Sequence, residues 1–132
     1  MNDFVEWVDA YSVGNPLLDE QHKRLFELAN EVWAARKEPD EEKRRLFKKV
    51  LDELKAHCLD EERILEQNRC PTVESHKQAH GEILEQVGEI LDSFEDRNSR
   101  TWYRMMVFLM EEFFLKHLIE VDLECKSYLE QK

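Results

Sequence analysis

Apolar residues recur every three or four positions along most of this chain of 132 residues. That spacing is typical of an α-helix with one buried face. The pattern predicts helices near 17–37, 41–68, 73–95 and 99–129, after an irregular arm of residues 1–16. Because short connections between helices of similar length favour antiparallel neighbours, we expect an all-α protein, an up-down-up-down antiparallel four-helix bundle.

Residues that begin or end helices mark the predicted boundaries. The arm closes at Gly14-Asn15-Pro16, and Pro39, Pro71 and the Arg97-Asn98-Ser99 stretch interrupt the apolar pattern. We expect N-caps at Asp40, at Thr72 and at either Asn98 or Ser99. A length of 132 residues suits one domain with one core, so residues 1–132 are predicted to form one domain.

Histidine occupies positions on every predicted apolar face. The first helix contributes His22, the second His57, the third His76 and His80, and the fourth His117, which together are all five histidines of the chain. Two histidines four residues apart are most simply interpreted as core residues with satisfied hydrogen bonds. Five out of five on apolar faces are hard to explain as chance, so we expect a shared role.

The histidines also agree in depth along the bundle. His22 and the His76/His80 pair lie near the starts of the first and third helices, and His57 and His117 lie near the ends of the second and fourth. In an antiparallel bundle those places meet at one end. Burying five imidazoles without partners costs several kcal/mol. A bound metal would offset that cost, so the pattern predicts a metal site.

Two carboxylates can join the histidines. Glu61 follows His57 by four residues and shares its helix face. Asp122 follows His117 by five residues, which places the pair about 140° apart on an ideal α-helix. They share a face only where a bulge changes the register or the helix loosens, and such bulges are common at functional sites. The spacing alone does not choose Asp122 over Glu120 or Glu124.

The size of this donor set indicates more than one ion. Five histidines and two carboxylates exceed what one tetrahedral zinc ion uses. They suit two ions bridged by the carboxylates and a solvent oxygen, with one octahedral position open for a small diatomic ligand. Imidazole and carboxylate suit iron, although ligand type alone leaves zinc, manganese and copper open. The chain has no Glu-x-x-His pair, so the ferritin-like di-iron class fits poorly.

Charge and composition exclude several partners. The formal net charge of −11 disfavours nucleic acid, and an anionic membrane would repel the chain. No apolar run approaches the roughly 20 residues of a transmembrane helix, so we expect no membrane insertion. The N-terminal stretch lacks the pattern of a signal peptide. Cys58, Cys70 and Cys125 have no CxxC spacing and are interpreted as reduced thiols of a cytoplasmic protein.

Four motifs in order resemble the hemerythrins, specifically the bacterial type. After Trp7, the stretch YSVGNPLLDEQHKRL resembles the arm and the D-x-Q-H-x-x-L signature of the family's first helix. HCLDEERIL resembles H-F-x-x-E-E, HKQAH matches H-x-x-x-H, and HLIEVD matches H-x-x-x-x-D. Any one of these pieces is weak, but their order and spacing cover almost the whole chain.

The resemblance implies a cofactor and assigns its ligands. The cofactor would be two iron ions bridged by two carboxylates and an oxo or hydroxo group, with dioxygen binding at the open position of one iron. The implied ligands are His76, His80 and His117 for the six-coordinate iron, His22 and His57 for the five-coordinate iron, and Glu61 and Asp122 as bridges.

The same resemblance implies an apolar oxygen pocket. Its walls would be Leu25, Phe113, Phe114 and Leu118, with Cys58 at its flank. The family usually has Phe at the position of Cys58 and often has Trp at that of Phe113, so both departures make the wall smaller.

The resemblance leaves three functions to compare. The first is dioxygen binding for storage, delivery or sensing, in a protein that is not an enzyme. The second is a di-iron redox enzyme that acts on peroxide, nitric oxide or oxygen. The third is a sensory module that works with a signalling output domain or a partner protein.

Overall fold

Four long helical segments form the molecule. The computed structural model describes residues 4–95 and 100–130. The helices are α1 (Pro16–Ala34), α2 (Asp40–Gln67), α3 (Val73–Asp92), α4 (Thr101–Val107), a π-helix (Phe108–Asp122) that continues α4, and the short α5 (Lys126–Leu129). Single 3₁₀ turns lie at Asp9–Tyr11 and Ser93–Glu95.

The helices close into a bundle. α1 packs on α2, α2 packs on α3, and α4 contacts both α3 and α1. Short connections join these neighbours, as expected when successive helices run antiparallel. The predicted all-α four-helix bundle is therefore confirmed.

The predicted apolar faces form the core. Val73 and Met110 on these faces are half-buried, and the side chain of Val121 lies outside the described residues. The other apolar residues of the faces are buried: Leu18, Leu25, Ala29 and Val32 in the first helix, Phe47, Val50, Leu54 and Ile64 in the second, Ile83, Val87, Ile90 and Phe94 in the third, and Met106 and Phe113 in the fourth. One large apolar cluster runs along the bundle. A second, smaller cluster covers the end where the histidines lie, and it consists of Val13, Leu18, Ile64, Leu65, Cys70 and Leu129. This end cluster separates the histidine layer from solvent.

Two helix boundaries differ from the prediction. The first helix ends at Ala34 rather than near residue 37, because the backbone N–H of Ala35 is shared between the carbonyls of Glu31 and Val32 and a turn follows before Pro39. The fourth helix begins at Thr101 rather than at residue 99, and the residue before it, Arg100, has a left-handed backbone with φ of 54°.

The predicted helix caps are only partly observed. Asp40 is the first residue of α2, and Pro39 occupies the cap position. Thr72 stands at the N-cap of α3, but its side chain makes no capping hydrogen bond. Asn98 and Ser99 lie outside the described residues. Acidic residues in the first turn of α2 stabilise the helix dipole in place of a cap.

The last residues of the N-terminal arm are attached to the histidine end of the bundle. The Asn15 side chain accepts a hydrogen bond from the backbone N–H of Leu18, which caps α1, and donates another to the carbonyl of Leu129. Gly14 has φ of +75°, and a Cβ there would lie 2.7 Å from the Cβ of Glu130. The close approach of arm and C-terminal segment therefore requires glycine.

The end of α2 shows a Schellman motif without its usual glycine. The backbone N–H of Cys70 donates to the carbonyl of Leu65, and that of Arg69 donates to the carbonyl of Glu66. Arg69 takes the left-handed position, with φ of 55°. Cys70 and Leu65 make the apolar contact that accompanies this motif. The motif places Cys70 in the end cluster at the cost of strain at Arg69.

Relieving that strain should stabilise the protein. We expect Arg69→Gly to raise the free energy of unfolding by about 1 kcal/mol, because glycine adopts the left-handed conformation without a Cβ clash. Arg69→Ala retains the clash and serves as the control. Urea titration of both variants measures the difference, and equal midpoints would contradict the assignment of strain to Arg69.

Candidate metal centre

The five histidine rings meet in one buried layer, as the depth argument predicts. The Nε2 atoms of His22 and His57 lie 3.1 Å apart, and so do those of His80 and His117. His76 completes the layer, with its ring centroid 5.4 Å from that of His80. All five side chains are buried. Each helix of the bundle thus supplies donor nitrogens to one small volume.

Glu61 lies between two groups of histidines. Its Oε2 atom is 3.0 Å from the Nε2 atom of His57, on its own helix. Its Oε1 atom is 3.1 Å from His76 Nε2 and 3.3 Å from His80 Nε2, both on α3. The two oxygens of one carboxylate therefore face different histidines.

Asp122 has the same arrangement from the opposite side of the site. Its Oδ2 atom is 3.3 Å from His22 Nε2, and its Oδ1 atom is 3.2 Å from the Nε2 atoms of both His76 and His117. Like Glu61, this carboxylate is fully buried. Two carboxylates thus join the same two groups of histidines.

The π-helix explains how Asp122 reaches the site. A π-helix bonds residue i to residue i+5, so His117 and Asp122 share a face. The backbone bond from the Leu123 N–H to the Leu118 carbonyl has this five-residue spacing. The expected departure from α-helical register is thus observed, but it is neither a local bulge nor a loosening confined to the residues after His117, because the π-helix extends over Phe108–Asp122. Of the alternatives, Glu124 is exposed, and the side chain of Glu120 lies outside the described residues.

These donors form two overlapping sets that could each hold a metal ion. Within each set, one ligand atom per residue lies within 4.8 Å of all the others. The sets are Glu61, His76, His80 and His117, and His22, His57, Glu61 and Asp122. All seven sequence-predicted ligand residues are brought together, although the ligand roles themselves rest on the proposal below.

The donor atoms are better suited to binding cations than to forming hydrogen bonds with one another. Both oxygens of Glu61 and the Oδ2 atom of Asp122 are buried without a hydrogen-bond partner, although histidine nitrogens lie at 3.0–3.3 Å. Unpartnered buried oxygens of this kind are rare and costly. A cation between them would accept their lone pairs together with those of the imidazoles.

Burial and charge shift the pKa values of the histidines in opposite directions. Burial lowers the pKa of His22 and of His117, which favours the neutral form. Burial opposes the protonated form of His76 as well, but its contacts with Asp122 and Glu61 raise its pKa to about 9. The carboxylates of Asp122 and Glu61, which raise this pKa, also favour the binding of metal cations at this end of the bundle.

The carboxylates differ from each other. Burial opposes the ionised form of Glu61, but His57 and the α3 histidines hold its pKa well below the usual range. Burial and the negative charge of Glu61 raise the pKa of Asp122. The pKa of His80 is raised, like that of His76. Burial opposes the protonated form of His80, but its contacts with Cys58 and Glu61 raise its pKa to about 11. A cation bound between Glu61 and Asp122 would offset the repulsion between the two carboxylates.

Polar side chains outside this layer hold two of the rings by their other nitrogen. His57 Nδ1 lies 2.9 Å from the Oε1 atom of Gln21, whose Nε2 donates to Asp60 at 2.7 Å. His80 Nδ1 lies 2.7 Å from the Oε2 atom of Glu62. Such partners keep the proton on Nδ1 and leave the Nε2 lone pair for a metal.

Our interpretation of the sequence gave no role to Gln21 or Glu62. Both lie within the motifs that resemble the hemerythrins, one residue before His22 and one residue after Glu61. Adjacency along the chain was therefore the available signal. It could not identify the partners, because Gln21 contacts His57 rather than its neighbour His22, and Glu62 contacts His80 on another helix.

Four of the five predicted pocket residues belong to one apolar cluster, which contains Leu25, Phe113, Phe114 and Leu118. The ring of Phe113 lies 6.5 Å from that of His22 and 6.1 Å from that of His117, measured between centroids. Cys58 is buried but lies outside this cluster, and its thiol interacts with His80. Phe113 thus lies against one ring of each histidine group.

The fold and these donors define a class: a helical-bundle protein with a buried cation site. The family described as "Hemerythrin HHE cation binding domain" matches residues 13–122. The chain belongs to the hemerythrin family. The match begins in the arm and ends at Asp122, so it contains every residue of the histidine layer.

Curated relatives agree with this assignment. A bacteriohemerythrin of Campylobacter jejuni is 27% identical over 123 residues, which are 92% of this chain and 92% of the relative. A bacteriohemerythrin of Stenotrophomonas maltophilia is 28% identical over 87 residues, 63% of this chain and 55% of the relative. Myohemerythrin of Sipunculus nudus is 30% identical over 78 residues, 59% of this chain and 61% of the relative.

None of the helices in residues 4–95 and 100–130 combines the length and hydropathy that a membrane span requires.

Proposed function

We propose that this chain is a di-iron protein that binds dioxygen reversibly, for storage, delivery or sensing. His76, His80 and His117 would hold one ion, and His22 and His57 the other. Glu61 and Asp122 would bridge them. Two ferrous ions held there would supply the two electrons that dioxygen accepts on binding.

A single observation carries this proposal: each carboxylate directs one oxygen to each histidine group. Glu61 does so with 3.0 Å to His57 and 3.1 Å to His76, and Asp122 with 3.3 Å to His22 and 3.2 Å to His117. A site for one ion would need neither the second carboxylate nor five histidines. Imidazole and carboxylate donors also suit iron.

The surrounding residues contribute orientation and exclusion of water. Gln21 and Glu62 hold the Nδ1 atoms of His57 and His80, so that both rings present Nε2 to the centre of the bundle. Phe113, fully buried against His22 and His117, keeps this side of the site apolar. An apolar wall favours a small uncharged ligand over ions and water.

Two further parts of the proposal concern the setting of the protein. The three cysteines are free thiols, which supports a cytoplasmic location. A sensing role would add a signalling output domain or a partner protein, whereas storage or delivery needs neither.

Metal content tests the proposal. We expect about two iron ions per chain after anaerobic loading with ferrous iron, because the seven donor residues form two sets that overlap at Glu61. His22→Ala and His117→Ala should each lower that content, since each removes a donor from a different set. Elemental analysis against protein concentration gives the stoichiometry.

An optical spectrum taken before and after admission of air distinguishes binding from catalysis. A charge-transfer band that forms in air and disappears when oxygen is removed supports dioxygen binding. Prompt and irreversible oxidation without that band would support the redox-enzyme alternative. One metal ion or fewer per chain would contradict the di-iron assignment itself.

A further inference from the structure

Two thiols contact the same hydroxyl group next to the histidine layer. The Sγ atom of Cys70 is 3.3 Å from the hydroxyl oxygen of Thr72, and the Sγ atom of Cys125 is 3.9 Å from the same oxygen. Cys125 Sγ also lies 3.9 Å from His76 Nδ1. These two cysteines are 55 positions apart in the sequence, so the fold alone brings them together.

Both cysteines sit on backbone that local hydrogen bonds define. Cys70 is held by the Schellman motif at the end of α2, through its bond to the Leu65 carbonyl at 2.9 Å. Cys125 follows the π-helix, and its N–H donates to the Asp122 carbonyl at 3.1 Å. The two thiols therefore reach the Thr72 hydroxyl from two turns whose backbone is fixed by hydrogen bonds.

The pair has one open side. Cys70 is buried in the end cluster, Cys125 is half-buried, and Thr72 beside them is exposed. An oxidant can thus reach Cys125 first, with Cys70 behind it, which is the arrangement of an attacked and a resolving thiol.

Packing of a small apolar side chain explains why Cys70 is buried, but it does not explain why Cys125 contacts the same hydroxyl group. Free cysteine is often a small buried apolar residue, and Cys58, with 3% of its surface exposed, has that environment. Cys125 differs because it is only half-buried and shares the Thr72 hydroxyl with a second sulfur.

We propose that Cys70 and Cys125 form a reversible intramolecular disulfide with low-molecular-weight disulfides as the oxidant. The Cys125 sulfur attacks one sulfur of the oxidant, which forms a mixed disulfide and releases one small thiol. The Cys70 sulfur then attacks Cys125, which forms the Cys70–Cys125 bond and releases the second small thiol. The two protein thiols lose two electrons and two protons, and the oxidant gains them.

The disulfide would connect the loop before α3 to the turn before α5, across the end cluster. Closing this long loop restricts the unfolded chain and stabilises the fold. The bond would form whether or not the histidine layer holds metal, so the disulfide does not depend on the function proposed above.

Peptide mapping of the intact protein tests the disulfide. The protein is equilibrated with oxidised glutathione, quenched with acid, and digested without reduction for mass spectrometry. We expect a linked peptide pair containing Cys70 and Cys125, its disappearance after dithiothreitol, and a melting temperature several degrees higher in the oxidised protein. Cys58→Ser is the matched control and should give the same yield of linked peptides.

The variants of the pair separate the two chemical steps. Cys70→Ser should stop at a stable glutathione adduct on Cys125, and Cys125→Ser should leave Cys70 unmodified. Should either variant fail to fold, the wild-type map still decides the question. A stable adduct on Cys125 in the wild-type protein, a disulfide between two chains, or thiols that stay free throughout would each overturn the proposal.

Discussion

Removing metal from the loaded protein is expected to lower its melting temperature by more than about 10 °C. The reason is the content of the histidine layer. Seven ionisable side chains are buried together, and Glu61 and Asp122 retain oxygens without hydrogen-bond partners. A cation that binds only the folded state compensates for that burial, so the binding free energy becomes folding free energy. Calorimetry at neutral pH, before and after chelation, measures the change.

The far end of the bundle provides an internal control. Trp33 and Trp102 pack together there with ring centroids 5.8 Å apart, and the Trp102 indole donates to the Val32 carbonyl at 3.0 Å. A Trp7→Phe variant leaves these two as the only tryptophans in the chain. Their fluorescence below the melting temperature should not change when metal is removed. Identical melting of loaded and metal-free protein would contradict a metal-dependent fold.

Replacing Glu61 with glutamine should have the largest effect on metal content. Glu61 is the residue that belongs to both donor sets. Glutamine has the same shape but lacks the negative charge, and an amide oxygen is a weaker ligand than a carboxylate. We expect the iron content of Glu61→Gln to fall from about two ions per chain to one or fewer, while the metal-free variant remains folded.

The control for Glu61→Gln lies one turn and a residue further along α2. Glu66 is exposed and pairs with Lys77, so Glu66→Gln removes the same charge from the same helix outside the site. Its iron content should equal that of the wild-type protein. Elemental analysis and circular dichroism on both variants complete the comparison. If Glu61→Gln still held two ions per chain, Glu61 would not be a bridge.

Both variants also separate the role of charge from that of packing. Leaving one partner of a buried charged cluster without its counterpart is usually destabilising. In this site the partners of Glu61 are histidines, which can become neutral, so the metal-free Glu61→Gln protein loses less than a cluster with fixed charges would. The expected phenotype is therefore loss of metal rather than loss of fold.

The order of the helices and the histidine layer could be predicted from the amino-acid sequence. Helical periodicity depends on local geometry, so the apolar positions, the five histidines and Glu61 could be assigned to faces without coordinates. Antiparallel order then placed those histidines at one end of the bundle, where the structure has them. The number of donors already indicated two ions, and the motifs of the hemerythrin family added the assignment of ligands to each ion.

Tertiary structure alone decided which further side chains complete the site. Spacing could not choose Asp122, because the π-helix that turns it toward His22 depends on hydrogen bonds five residues apart over Phe108–Asp122. The partners of Gln21 and the contact between Cys70 and Cys125 likewise join different helices or distant turns. Local pattern determines which face a residue occupies, but the distance between two faces is set by how the helices pack.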